Sequence, residues 1–573
     1  MTTVERTTNL DPGELVPVLP ATWWDRCESL LMRASDYLNP ILVKEARQAL
    51  RSRQFLSTFF LMLAAGWAWS ILGLAAIGPA VYYSTEGPGM LIAYHLILSV
   101  PLLVVIPYSA FYSLWSERQD RTHELVSITS LGATQILAGK MCGIGLQMMV
   151  YLSAIFPCLA FTYLLRGLDI FTIMLVVIYT CTLSLSLSVL GLLLGSIVAL
   201  RQRQIAMLVF FALVLFAATF IDNTWTISIV QYGGLGLRTT EFWTVQAAFA
   251  TVFFNFFAIT FLAARSQLVA VSQNRSTALR WALVVAQLSF VAWIAYGQML
   301  FGGEFVYGMV YFSALYWFVA GMFLTSESAV LSERVKRDLP NSALARVFLT
   351  WFNPGPGTGY VFVIANMLVV TVLASLPYFW IVERFRDVTG TNVAAMTSTA
   401  GGVTNNYALR PQVVAQMPNA GRPGVFGAGI VATSYLAIFL GTSALLIRGV
   451  RRVSDVKLTL PVLVNLLLLL LGSGVPWAIQ MSSARMRNWE YSLLQISNPM
   501  WTLDEICFHS APPEMPAIVL ALAGVGGMIF LLNLPALYDE LKQVRISRPP
   551  RVAEEDAELA RAASPGGPKS PWD

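Results

Sequence analysis

Long apolar runs separated by short polar or charged stretches dominate the chain from residue 55 onward. A helix that crosses the hydrocarbon core of a bilayer needs about 20 mostly apolar residues. Runs of that kind predict twelve spans, at 55–80, 89–115, 141–165, 170–199, 204–221, 242–263, 282–302, 305–325, 358–382, 425–447, 458–481 and 515–537. The run at 170–199 is longer than a bilayer requires and is expected to tilt or project. The predicted fold class is an all-α polytopic membrane protein with about twelve transmembrane helices in two six-helix halves.

Composition agrees with the pattern. Of the 573 residues, 56% are hydrophobic and 12% charged, where a soluble globular chain carries about 25% charged residues. A water-soluble enzyme of several domains is excluded. The net charge of +5 gains meaning once the charges are placed. With the N-terminus in the cytoplasm, the outer loops hold only eight of the 37 Lys and Arg: Arg166, Arg238, Arg384, Arg386, Arg410, Arg422, Arg485 and Arg487. The positive-inside rule therefore predicts a multi-pass protein of the bacterial inner (plasma) membrane with both termini cytoplasmic. No cleavable signal peptide is legible, because the early apolar run Leu15–Pro20 is too short for one.

The segments outside the spans divide the chain further. Residues 1–54 read as a cytoplasmic segment with an amphipathic, basic interfacial helix, in which Asn39-Pro40 opens a stretch of Ile41, Leu42, Ala46 and Leu50 among Lys44, Arg47, Arg51 and Arg53. The two halves are read at 55–265 and 282–537, joined by an inner linker at 266–281. Their inner loops start alike, Leu114-Trp-Ser116-Glu117-Arg118 against Val330-Leu-Ser332-Glu333-Arg334, as in transporters built from internal repeats. The outer loop 383–424, rich in Gly, Thr, Asn and Ala, is expected to be irregular. The polar, Pro-rich tail at 538–573 is expected to be disordered.

Chemistry is sparse. His95 is the one clear ionisable residue in a predicted span, and it reads as a hydrogen-bonded residue near the outer end. Ion-coupled carriers need charged groups at membrane depth, so their scarcity argues against a secondary carrier. The three histidines lie on separate segments with no metal-ligand spacing, and the five cysteines form no C-x-x-C pair. No catalytic, cofactor-binding, metal-binding or nucleic-acid-binding residues are assigned, and no enzyme activity is expected of the chain. Gly132 to Gly139-Lys140 has the wrong glycine spacing for a phosphate loop, and Gly355-x-Gly357-x-Gly359 reads as a turn. Gly191 and Gly195 in the fourth span, and Gly524, Gly526 and Gly527 in the twelfth, read as small-residue faces for helix packing. The cysteines read as small core residues.

One loop carries more information. From Ser116 to Gly132 it begins with mixed charges and then turns amphipathic, with Leu125, Ile128 and Leu131 recurring every three residues. Here the chain resembles the permeases of ATP-binding cassette transporters of the type-2 export class. The likeness rests on Glu117-Arg118, Thr122, Glu124-Leu125 and Leu131, with Arg121 standing where that family usually has Gly. It extends to Asn39-Pro40 through Arg47 and covers roughly residues 39–265. The resemblance implies that Glu117, Arg118, Thr122, Glu124, Leu125, Ile128 and Leu131 form a coupling helix for a separate cytoplasmic ATPase, a homodimer or heterodimer. Glu333, Arg334, Lys336 and Arg337 form a second candidate coupling loop. It also implies re-entrant helices at 222–241 around Gly233-Gly234-Leu-Gly236, and a fused pair that needs no second permease. An ATP-independent secondary carrier, a lipid flippase and a non-transporting scaffold are the rival readings. The scarcity of charge in the spans tilts the expected cargo toward hydrophobic or amphipathic molecules.

Overall fold

The computed structural model describes residues 40–79, 83–119, 132–197, 201–231, 239–269, 275–301, 305–327, 336, 355–388, 424–451, 459–482, 491–509, 514–542, and 551, 552, 554, 555, 557 and 558. No strand occurs among them. The helices are α1 (Pro40–Leu50), α2 (Arg53–Ile77), α3 (Gly87–Gln119), α4 (Ala133–Leu164), α5 (Ile170–Ile197), α6 (Arg201–Gln231) and α7 (Thr240–Leu268). They continue with α8 (Thr277–Phe301), α9 (Phe305–Leu324), α10 (Pro356–Val388), α11 (Val425–Arg451), α12 (Thr459–Ser482), α13 (Pro499–Phe508) and α14 (Met515–Leu541). All but α1 and α13 contain a stretch long and apolar enough to cross a membrane, twelve in number as the apolar runs predict. Large side chains such as Phe60, Leu61, Trp67, Phe216 and Phe220 stand exposed on these helices. Lipid is the solvent that such surfaces require.

The chain forms two compact units, 1–234 and 235–573. This division differs from the expected halves at 55–265 and 282–537. Helix α7, read as the sixth span of the first half, packs against α8 and sets Ile259 against the core of the second unit.

In the first unit, α3 and α5 form the closest pair. Gly191 and Gly195 make this possible, since a Cβ would fall 2.8 Å from the Pro107 carbonyl oxygen at Gly191 and 2.5 Å from that of Phe111 at Gly195. The small-residue face thus packs inside the chain. Opposite it, α3 widens into a π-type turn at Val100–Val105, where the Ile106 N–H reaches back to the Pro101 carbonyl. The next residue, Pro107, has no N–H to continue that pattern, and the Leu102 carbonyl is taken instead by the Ser184 hydroxyl of α5 at 2.5 Å.

In the second unit α11 is central, with α9, α10, α12, α13 and α14 against it. Of the three glycines singled out in α14, only Gly526 makes a close approach, at Ser434; Gly524 and Gly527 have open space beside them. Before α14, a 3-10 turn (Leu493–Ser497) and α13 bury Gln495, Thr502, Ile506 and Cys507.

Several expected boundaries move. Residues 222–231, expected to be re-entrant, continue α6 without interruption. Gly357 and Gly359 lie inside the first turns of α10 rather than in a turn ahead of it. Helix α10 also continues to Val388, into the outer loop expected at 383–424, whose residues 389–423 lie outside the described residues. In the tail, 538–541 complete α14, and the described residues between 551 and 558 are helical, with Arg551 paired to Glu555 one turn on at 3.5 Å. Of the cysteines, Cys158 and Cys507 are buried as expected, but Cys142 is exposed on α4.

Candidate functional site

Odd-numbered spans begin, and even-numbered spans end, at the charge-rich end of each unit. In the first unit this end is organised by Lys140. The loop expected before residue 141 is instead helix from Ala133 onward, so Lys140 lies two turns inside α4 and is 3% exposed. Its ammonium has three N–H donors, and all three are used: Glu45 Oε1 at 2.8 Å, Glu117 Oε1 at 2.9 Å and Ser113 Oγ at 2.6 Å. Lys44 adds a longer contact to Glu117 at 3.5 Å. A buried ammonium with two carboxylates and a hydroxyl recovers much of what it loses on leaving water. Helix α1 comes close enough to supply Glu45 because Gly143 leaves room: a Cβ there would lie 3.2 Å from the Glu45 Cβ. The node therefore ties α1, the end of α3 and the start of α4.

Of the residues expected in a coupling helix, Glu117 and Arg118 are partly buried at the end of α3. Thr122, Glu124, Leu125, Ile128 and Leu131 lie outside the described residues, as do Glu333, Arg334 and Arg337 of the second loop; Lys336 is described and helical. Glu117 is not a free surface acid waiting for a partner. It is engaged by Lys140.

A second polar site lies deeper in the same unit. His95 of α3 is 2% exposed, and its Nε2 is 3.0 Å from Asp222 Oδ2 and 3.1 Å from Thr226 Oγ1, both on α6. Thr180 of α5 donates toward the same Asp222 oxygen at 3.4 Å, and the Asn223 amide reaches Ser99 Oγ at 3.5 Å. The buried Asn223 Oδ1 accepts no hydrogen bond among the described residues. At 1.5 Å rise per residue, His95 lies about 12 Å and Asp222 about 14 Å inside the nearer ends of their helices, within stretches long and apolar enough to cross a membrane. Nε2 carries either a hydrogen or a lone pair. Which of the two contacts it makes depends on the tautomer: Nε2–H donates to Asp222, and a bare Nε2 accepts from Thr226.

This site overturns the expectation that His95 stands alone and that the spans lack carboxylates. Asp222 was hidden because the apolar run ends at Ile221. The apolar residues Trp225, Ile227, Ile229 and Val230 resume just after it, but they alternate with Thr and Ser in a strand-like period, so the sequence does not announce that the helix continues.

In the second unit the charge-rich end is built on helix termini. Arg280 of α8 is fully buried and donates to Glu327 Oε2 at 2.6 Å, with its guanidinium carbon 5.6 Å from the centre of the Phe362 ring. The same Glu327 oxygen accepts from Ser276 Oγ at 3.2 Å and Gly355 N at 3.3 Å. At the N-terminus of α10, the Gly357 and Thr358 N–H groups each donate at 2.8 Å to one oxygen of Glu540, near the end of α14. Helix N-termini favour an anion in this place, and here the chain supplies its own. The glycines of the Pro-Gly-Pro-Gly-Thr-Gly run allow the approach. A Cβ on Gly357 would lie 2.8 Å from Leu537 N, and one on Gly359 would lie 2.5 Å from the Leu324 carbonyl oxygen.

Two cavities accompany these groups. One, with about 510 Å³ of empty space, is walled by apolar and aromatic side chains including Phe318, Tyr435, Phe439, Leu469, Met500 and Leu503. The other, about 380 Å³, lies beside the α10 N-terminus, with Arg448, Arg451 and Asn533 in its wall. Outside the spans, burial raises the Glu505 carboxyl above its usual range and pushes the Cys507 thiol up to about 12.

The fold and these sites define a polytopic, all-helical membrane protein. Its twelve spans, with polar groups buried among them, have the build of a membrane transporter. No protein-family model, no curated protein and no solved structure matches the chain.

Proposed function

We propose that the chain is the permease subunit of an ATP-binding cassette transporter of the type-2 export class. It has no ATPase domain of its own and moves an unidentified substrate across a bacterial inner membrane, with ATP hydrolysed by a separate cytoplasmic subunit. The observation that carries this reading is the Lys140 node. Both ends of the loop 120–131 run into the hydrogen-bond set of one buried lysine, so a load on that loop reaches α1, α3 and α4 together. A lever anchored in this way suits a loop that receives force from a partner. The apolar cavity in the second unit suits a hydrophobic or amphipathic cargo.

The test uses loop residues that leave the node untouched. Glu124→Lys combined with Leu125→Asp and Ile128→Asp is expected to abolish recovery of MgATP-hydrolysing activity with the tagged protein from its own membranes. Unchanged recovery would sink the docking claim. Glu117→Lys is a poor substitute, because it breaks the Lys140 node whether or not a partner binds.

A second reading, a carrier driven by protons, is favoured by the His95–Asp222 pair, since ionisable groups at membrane depth often form proton relays. Transport in sealed vesicles separates the two. ATP dependence that survives in His95→Gln supports the first reading, and transport driven by a pH gradient without ATP, lost in that variant, supports the second.

A further inference from the structure

The cavity beside the α10 N-terminus has no part in either transport reading, and its chemistry is specific. Arg448 and Arg451 are three residues apart on α11, so they share one face of its last turn. Basic residues at a helix C-terminus commonly serve only to offset the helix dipole. These two reach elsewhere. Arg448 donates from Nη2 to the Asn533 side-chain oxygen of α14 at 3.5 Å, and Arg451 donates from Nη2 to the Ser326 and Glu327 carbonyl oxygens past the end of α9, each at 3.3 Å.

A guanidinium has five N–H donors, so most of the capacity of both side chains remains. Among the described residues no carboxylate lies within salt-bridge distance of either. The two acids at this end are already committed. Glu327 accepts from Arg280, Ser276 and Gly355, and each oxygen of Glu540 accepts a backbone N–H, although Glu540 still acts on Arg451 through space. Among the described residues, two cations thus border one partly open space, and neither is in salt-bridge contact with an acid.

The space suits a phosphate. Counted out to its open mouth the space is about 380 Å³, which admits a phosphoryl group. Arginine forks match phosphate oxygens in pairs. The rest of the wall, with Tyr360, Ala444 and Ile447, is largely apolar and suits the carbon side of a phosphoester. Basic pockets between helices at a membrane surface recognise phospholipid headgroups in this manner.

We propose that Arg448 and Arg451 form a phosphate-binding site in the cavity between α9, α10, α11 and α14. The ligand is a phosphoryl group, carried either by a membrane lipid headgroup or by a soluble phosphate.

The experiment uses the full-length purified protein and two probes. Inorganic phosphate is titrated and followed by ³¹P NMR, and phosphatidylglycerol in phosphatidylcholine nanodiscs is followed by native mass spectrometry after release. Wild type is expected to hold at least one probe, and Arg448→Gln with Arg451→Gln to hold it about tenfold less tightly, as loss of charge-assisted hydrogen bonds implies. Ala444→Trp keeps both arginines but fills the cavity, and it should lose the ligand as well. Response to inorganic phosphate assigns a soluble source. Retention of phosphatidylglycerol without response to inorganic phosphate assigns the headgroup. If the double variant fails to fold, Arg448→Gln alone, which breaks one long hydrogen bond, is decisive together with Ala444→Trp. Equal binding by wild type and these variants, or no binding of either probe to wild type, overturns the proposal.

Discussion

Lys140 in the first unit and the Arg280–Glu540 assembly in the second each bury charge at the charge-rich end of their own unit, but they hold different things. Lys140 binds three side chains, from α1 and from the end of α3. What it fastens is a peripheral helix and the two ends of a loop. In the second unit the carboxylates bind mostly backbone N–H groups of the α10 N-terminus, and the spans α8, α9, α10 and α14 are fastened to one another. A side-chain node can be reset by rotamer changes. A carboxylate seated on the amides of a helix terminus fixes that terminus as a unit. The first unit thus joins a peripheral helix to α3 and α4 through side chains, and the second joins its helices through a helix terminus.

The largest expected effect comes from breaking the side-chain node. Lys140→Met leaves Glu45 and Glu117 facing one another without a cation, and removing one partner of a buried ion set costs about 3–5 kcal/mol. Thermal unfolding of the purified protein should fall markedly. Adding Glu45→Gln and Glu117→Gln should restore most of the loss, and a variant that stays unstable would show that the lysine acts by packing alone. Next comes Glu540→Gln. The amide keeps one acceptor for the α10 N-terminus but loses the charge, so a loss of about 1.5–3 kcal/mol is expected. Hydrogen exchange should rise at Gly357 and Thr358 and stay unchanged in the first unit.

A pair of glycine substitutions sharpens the contrast further. Gly357→Ala drives a Cβ against the α14 backbone and should cost about 1–3 kcal/mol by overpacking. Gly145→Ala in α4, where the space is open, should be neutral or stabilise by up to about 1 kcal/mol through helix propensity. Equal effects at the two sites would erase the difference in closeness. The smallest effect is chemical. Cys507 is fully buried, with its thiol pushed up to about 12. Only the thiolate reacts, so maleimide labelling of Cys507 at neutral pH should be far slower in the folded protein than after unfolding.

The spans were legible because a membrane-crossing helix needs a long apolar run, and twelve such runs stand in the sequence. The buried charges were not legible. A reading that ends each span at the first charged residue puts Lys140, Asp222, Arg280 and Glu540 into loops, while the helices carry them inward. What permits this is a partner far along the chain: Glu45 lies 95 residues from Lys140, Asp222 lies 127 from His95, and Gly357 lies 183 from Glu540. Local hydropathy contains no trace of such pairings. The Gly355–Gly359 motif was visible as sequence, but its purpose, close approach of another helix, depends on the element that approaches.

The distance from Gly357 to Glu540 also sets an order of events during synthesis. The α10 amides are made 183 residues before the carboxylate they will hold. At ~5–20 residues per second, they wait about 10–40 s on the ribosome for it. Throughout that interval the N-terminus of α10 has only water, headgroups or an insertion factor to bond with, and a chain stopped short of Glu540 keeps it in that condition.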